Sequence, residues 1–206
     1  AILAFVQKEF RLILAYSSIS HMGIVLLAVA AMNGIGVQGA VFQMVSHGLI
    51  SALLFLLVGS IYERTSSTML SSLGGLAKPM PFMSGILMLA GLASLGLPGL
   101  SGFISELLAF LALFETMPVL TAVGCLGIIL SAVYVLRAVL AITFGPGNES
   151  AQSHKDARLA EVIPMIALAA FIILIGVYPA VLSEPLQSTI GVFEQLVTSA
   201  DVNGGG

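Results

Sequence analysis

The sequence predicts an all-α integral membrane protein of about six transmembrane helices, one of them discontinuous. Composition is the first reason. The 206 residues are 58% hydrophobic and only 8% charged, and the mean hydropathy of +1.11 lies far outside the range of a water-soluble domain. Length is the second, because several uncharged runs approach the roughly 20 residues a helix needs to cross a hydrocarbon core about 30 Å thick. The third is an interruption, Leu97-Pro98-Gly99-Leu100-Ser101-Gly102, which breaks one such run with residues unsuited to a helix interior.

Residues 1–11 form an entry segment carrying Lys8, Glu9 and Arg11. The segment lacks the basic region, short apolar core and small-residue cleavage site of a secretory signal. Leu12 to Met32 is the first span, and Asn33-Gly34-Ile35-Gly36 is a tight turn. Val37 to Ile61 is the second span, with Tyr62, Glu63 and Arg64 marking its exit at the interface. Residues 65–81 are rich in Ser, Thr and Gly and end in Lys78-Pro79-Met80-Pro81, the composition of an exposed connection able to hold a short hairpin.

Phe82 to Leu97 is the third span. Beyond the interruption a short helical piece reaches Thr116, so 98–116 reads as the broken helix, and Pro118 restarts the chain. Val119 to Phe144 is the next span, with Arg137 close enough to its end to snorkel to the interface. Residues 145–161 are a polar loop, and Val162 to Val181 is the last span, with Pro164 in its first turn where the missing N–H is harmless. Over 182–200, Leu182, Leu186, Ile190, Phe193 and Val197 recur at helical spacing, which predicts an amphipathic helix along a surface. Residues 201–206 are expected to be disordered. Six crossings put Lys8, Arg11, Arg64 and Lys78 on one side and Arg137, Lys155 and Arg158 on the other, a weak orientation bias.

Several function classes are excluded by composition. The net charge of −3 offers no basic face to nucleic acid. The single Cys125 rules out an intrachain disulfide and a cysteine metal cluster, and no metal site is expected.

The polar groups inside the spans carry the chemistry. A carboxylate near the bilayer centre costs about 2.5–3.5 kcal/mol on insertion scales, so Glu106 needs a partner or a proton. Pro98 removes a backbone donor, and Gly99 and Gly102 let the chain turn, which is expected to leave unpaired backbone groups beside Glu106. Such backbone is tolerated at membrane depth only where protein or a water-filled cavity satisfies it, and interrupted helices beside ion sites recur in transporters. His21 follows Ser17 by one turn and adjoins Ser20, while His47 lies four residues from both Gln43 and Ser51. Two apolar helices therefore each carry a narrow polar stripe centred on a histidine, and imidazole exchanges protons near neutral pH through either nitrogen. Glu106, His47 and His21 read as a proton pathway, with Ser17, Ser20, Gln43, Ser51, Ser131 and Tyr134 as polar lining. The competing reading is a membrane scaffold, in which the same groups, and the small stripe Gly124, Gly127, Ser131 and Tyr134, merely pack helices.

Four motifs taken together, Leu14-Ala15-Tyr16-Ser17-Ser18-Ile19-Ser20-His21-Met22-Gly23, Gln43-Met44-Val45-Ser46-His47-Gly48-Leu49, Leu73-Gly74-Gly75-Leu76 and Leu97 to Glu106, strongly resemble one family. It is that of the antiporter-like membrane subunits of proton-pumping NADH:quinone oxidoreductase, respiratory complex I, most closely the subunit M or chain 4 type. The resemblance covers nearly the whole chain. It implies that residues 12–144 correspond to the second of two inverted five-helix repeats, followed by the final helix, so the chain is expected to be the C-terminal portion of a longer subunit. It implies that Glu106 is the ionisable residue of the broken helix, where related subunits generally carry lysine, and that His21 and His47 lie on the central polar axis. It further implies a β-hairpin within 65–81 and a connecting role for the amphipathic helix. The partners implied are neighbouring antiporter-like and quinone-site subunits in a lipid bilayer, most naturally the bacterial plasma membrane. No phosphate loop, nicotinamide or flavin fingerprint or iron–sulfur cysteine set occurs, so no cofactor is expected in this chain. NADH, FMN, iron–sulfur clusters and quinone fall to partner subunits, and proton translocation to this one. A subunit of a sodium/proton antiporter or membrane-bound hydrogenase is the related alternative.

Overall fold

A computed structural model of the chain describes residues 1–146 and 155–204. It contains eight helices among these residues: α1 (Ile2–Val6), α2 (Phe10–Ala30), α3 (Gly34–Thr65), α4 (Pro81–Ser94), α5 (Ser101–Thr116), α6 (Pro118–Phe144), α7 (Leu159–Val177) and α8 (Ala180–Gly204). Four of them, α2, α3, α6 and α7, are each long and apolar enough to cross a membrane.

The α4 and α5 helices have 14 and 16 residues, each short of the roughly 20 a single span requires. Both run in the same direction. At the start of α4 the Phe82 and Met83 amides donate to the Asp156 carboxylate just ahead of α7, whereas at the far end of α5 the Ala112 carbonyl accepts from Asn33 between α2 and α3. The two halves therefore make one crossing between them. The bundle crosses five times rather than six, because the break bends the chain without reversing it.

This changes the distribution of charge. All 7 Lys and Arg of the sequence gather at one end. Lys8 and Glu9 join Met69 and Leu70 through backbone pairing, and Leu76 and Ala77, next to Lys78, donate to the carbonyls of Ile142 and Thr143 at the end of α6. Arg137 reaches back to the Phe5 and Gln7 carbonyls. Arg64 closes the group: its guanidinium makes two hydrogen bonds to Glu161, 2.8 and 2.6 Å, and three to the Ser60, Lys155 and Asp156 carbonyls. The weak charge bias expected from six crossings becomes a one-sided one.

Among the described residues no strand forms, so the hairpin expected within 65–81 is absent; a lone bridge joins Glu9 to Met69. Some of the segment's amides pair outward, Leu70 with the Lys8 carbonyl and Leu76 and Ala77 with α6, while others close local turns, Ser72 and Leu73 onto Met69 and Met80 onto Leu76. It is also less exposed than its composition predicts, since Leu73, Leu76 and Met80 are buried in the main hydrophobic core. Of the polar loop expected over 145–161, residues 147–154 lie outside the described residues. The α8 helix packs on α3 and α7, and Leu182, Leu186, Ile190 and Phe193 are its less exposed positions while Glu184 and Gln187 face outward. It continues to Gly204, where disorder is expected from 201; residues 205–206 lie outside the description.

Close helix approach is set by small residues. A Cβ at Gly39 would fall 2.7 Å from the Ala109 amide nitrogen of α5, and one at Gly102 would run into the Ala93 carbonyl of α4. The α3–α5 contact is thus nearly backbone to backbone, and it carries the site.

Candidate proton-transfer site

The break is a short loop, Leu95 to Leu100, between the ends of α4 and α5. Gly96 and Gly99 take left-handed backbone, φ 74° and 93°, which L side chains disfavour. The loop is less open than expected. Gly96, Leu97 and Leu100 donate to the carbonyls of Ala93, Leu92 and Leu97, so turns within the break satisfy amides that the sequence leaves apparently free.

Directly after it, Ser101 and Glu106 project from α5 toward α3 and α2. The Ser101 hydroxyl lies 2.8 Å from that of Ser46 on α3, joining the two helices inside the membrane. Glu106 Oε1 faces His21 Nδ1 of α2 at 3.6 Å, just beyond direct hydrogen-bond range. The Gln43 amide nitrogen reaches the same ring nitrogen at 3.4 Å. The His21 and His47 rings lie 5.2 Å apart, inclined by 32°, a separation typical of interacting rings.

These residues enclose a void lined by His21, Gln43, Ser46, His47, Ser94, Gly102 and Glu106. It offers about 10 Å³ to the centre of a water-sized sphere, room for about one water molecule. Glu106 is 7% exposed and His21 3%. His21 Nε2, Gln43 Oε1 and the Tyr134 hydroxyl are buried without a hydrogen-bond partner. Leaving such atoms unpaired costs about 1–3 kcal/mol each, and His21 and Gln43 both line the cavity, where a water molecule would satisfy them. Among the described residues no three His, Cys, Asp or Glu side chains group to hold a metal ion.

Sequence-predicted residues divide into four sets. His21, His47, Gln43 and Glu106 are brought together. Ser17 and Tyr134 are buried close by in the packed bundle, with the Ser17 hydroxyl turned onto the Leu14 carbonyl. Ser20 and Ser131 line a different space, an apolar groove between α2 and α6 that also reaches His21. Ser51 does not take part: its hydroxyl donates to Gly48 O of its own helix, and it is absent from the walls of the cavity. Spacing of four from His47 is satisfied in both directions along α3, but only the Gln43 side faces α2 and α5. Ser46, Ser94 and Ser101 were missed. Ser46 falls three residues after Gln43 on the same face, a signal that was present; for Ser94 and Ser101 nothing separates them from any serine in an apolar helix.

Comparison with known proteins identifies the family. Residues 1–131 match the family model described as NADH:quinone oxidoreductase/Mrp antiporter, TM. The chain belongs to this family. Among curated members, it is 40% identical over 195 residues to "NAD(P)H-quinone oxidoreductase chain 4" of Acaryochloris marina, covering 89% of this chain and 36% of that protein. It is 40% identical over 181 residues to "NADH-quinone oxidoreductase subunit M" of Rickettsia felis, covering 87% of this chain and 37% of that protein. A chain of respiratory complex I from Thermus thermophilus superposes with a TM-score of 0.89 at 33% identity, over 94% of this chain and 41% of the other. The chain thus spans well under half the length of these relatives. Within the NADH:quinone oxidoreductase/Mrp family fold, the discontinuous crossing and the acid behind it are the features placed here at the centre of the polar cluster.

Proposed function

We propose that this chain forms the proton-translocating C-terminal part of a membrane subunit of NADH:quinone oxidoreductase, of the subunit M or chain 4 type. The observation that carries the reading is the placement of Glu106 Oε1 3.6 Å from His21 Nδ1 beside a cavity with room for about one water molecule. A single bridging water makes that gap passable to a proton. His47, stacked beside His21, hands protons into the same cavity, and Glu106 is the group that loads and discharges. Neutral imidazole with two distinct nitrogens suits this relay.

In this reading NADH, FMN, the iron–sulfur clusters and quinone belong to partner subunits, and their chemistry drives changes in charge along the polar cluster. Neighbouring antiporter-like and quinone-site subunits are the partners. The membrane is the bacterial plasma membrane, and the cation-rich end faces the cytoplasm by the positive-inside rule. The related antiporter reading shares the fold and the cluster; two curated relatives at 40% identity, both named as quinone oxidoreductases, favour the first.

The deciding experiment is Glu106→Gln in the full-length subunit of the assembled complex, with proton pumping measured against quinone reduction. Lost pumping is expected; unchanged pumping removes Glu106 from the path.

A further inference from the structure

The geometry points to Gly96 as the positioning residue that seats the Glu106 carboxylate. A helical side chain leans toward the N-terminus of its helix, so Glu106, in the second turn of α5, leans back over the break. There it meets Gly96. A Cβ built on Gly96 would fall 2.7 Å from Glu106 Oε2 and 3.6 Å from its carboxyl carbon. The carboxylate therefore rests against the bare face of this glycine, with Oε2 toward Gly96 and Oε1 toward His21 at 3.6 Å.

Two independent requirements meet at this residue. The left-handed φ of 74° disfavours any side chain, and the space a side chain would take is held by the acid. Gly99 has the first requirement alone, with φ 93° but nothing within 4 Å of its would-be Cβ. The conflict at Gly96 is with the end of a flexible side chain, so a methyl group there displaces the carboxylate in preference to the helices. Displacing one oxygen moves the other, and with it the gap to His21. Proton transfer is steep in such gaps, because misplacing a reacting group by about 1 Å costs up to about a hundredfold in rate. The functional consequence rests on the proton-pathway reading above; the seating itself does not.

The test uses the full-length subunit in its assembled complex, with Gly96→Ala, Glu106→Gln, Gly75→Ala and the double variant Gly96→Ala, Glu106→Asp. Gly75 has the same left-handed backbone, φ 67°, in the 65–81 connection away from the cavity, and controls for strain. The infrared bands of the Glu106 carboxyl group are identified by their loss in Glu106→Gln. Gly96→Ala is expected to shift those bands and lower pumping per quinone reduced several-fold; Gly75→Ala is expected to do neither. The shorter acid of the double variant makes room for the methyl group and is expected to recover part of the loss. Where Gly96→Ala fails to assemble, Gly96→Asn, which tolerates left-handed backbone better, replaces it. Unmoved bands in the Gly96 variant, or an equal loss in Gly75→Ala, would overturn the proposal. Intact pumping in Glu106→Gln with shifted bands in Gly96→Ala sinks the proton-pathway reading and leaves the seat standing.

Discussion

Arg64 and Glu161 lie 97 residues apart and meet in a bidentate pair, with bonds of 2.8 and 2.6 Å. All five guanidinium N–H groups are used, because the Ser60, Lys155 and Asp156 carbonyls accept the remainder. Asp156 in turn caps the first amides of α4. The pair therefore fixes the entry to α7 against the exit of α3, with the first half of the discontinuous crossing held beside them.

Arg64→Gln should destabilise the subunit. Removing one partner of a buried pair costs about 3–5 kcal/mol, and partial exposure here, 11% and 17% for the two side chains, lowers the expectation to roughly 2–3 kcal/mol. Arg64→Lys should recover little, since a point charge cannot reproduce the fork. Thermal unfolding of the purified subunit measures both.

His21→Gln keeps a hydrogen-bonding group next to Glu106 but removes one that exchanges protons. Pumping should fall by about a hundredfold or more with quinone reduction less affected, because positioned acid–base groups typically contribute about 10²–10⁴ in rate. Equal losses in both activities would instead place His21 in assembly, as judged by subunit content.

Ser46→Ala and Ser101→Ala each break the 2.8 Å bond between α3 and α5, and each should cost about 1 kcal/mol. Ser51→Ala, whose hydroxyl bonds only within its own helix turn, should stay within about 0.5 kcal/mol of the parent. A denaturation series on the three variants separates the two cases.

Lys78 and Glu115 lie at opposite ends of the bundle. In a background with Cys125→Ala, Lys78→Cys should react with an impermeant thiol reagent from one face of the membrane and Glu115→Cys from the other, as compared in vesicles of the two orientations. Reaction of both from one face would refute the five-crossing topology.

Much of the architecture is legible in the chain because the bilayer imposes it residue by residue. The long apolar runs ending at Arg64 and Phe144 are spans wherever they are placed, and the Pro-Gly interruption cannot continue a helix. The stripe of Leu182, Leu186, Ile190 and Phe193 fixes which face of α8 turns inward by spacing alone. Glu106 stands out for the same local reason: an isolated carboxylate within an apolar run is costly enough to need a function.

What the sequence by itself determined is the solvent, the long spans and the candidate groups His21, His47 and Glu106. The tertiary structure decided the rest. Whether the halves α4 and α5 cross once or twice depends on which distant partners hold their ends, Asp156 at one and Asn33 at the other, and helix length does not carry that information. With it came the gathering of all 7 cations at one end. Ser51 and Gln43 are equivalent along the chain, both four residues from His47, and only the packing of α2 and α5 against one side of α3 separates them. Gly96 shows no chemistry of its own in the sequence; its part follows from the carboxylate that folding lays against it, a contact made through space between two elements that neither specifies alone.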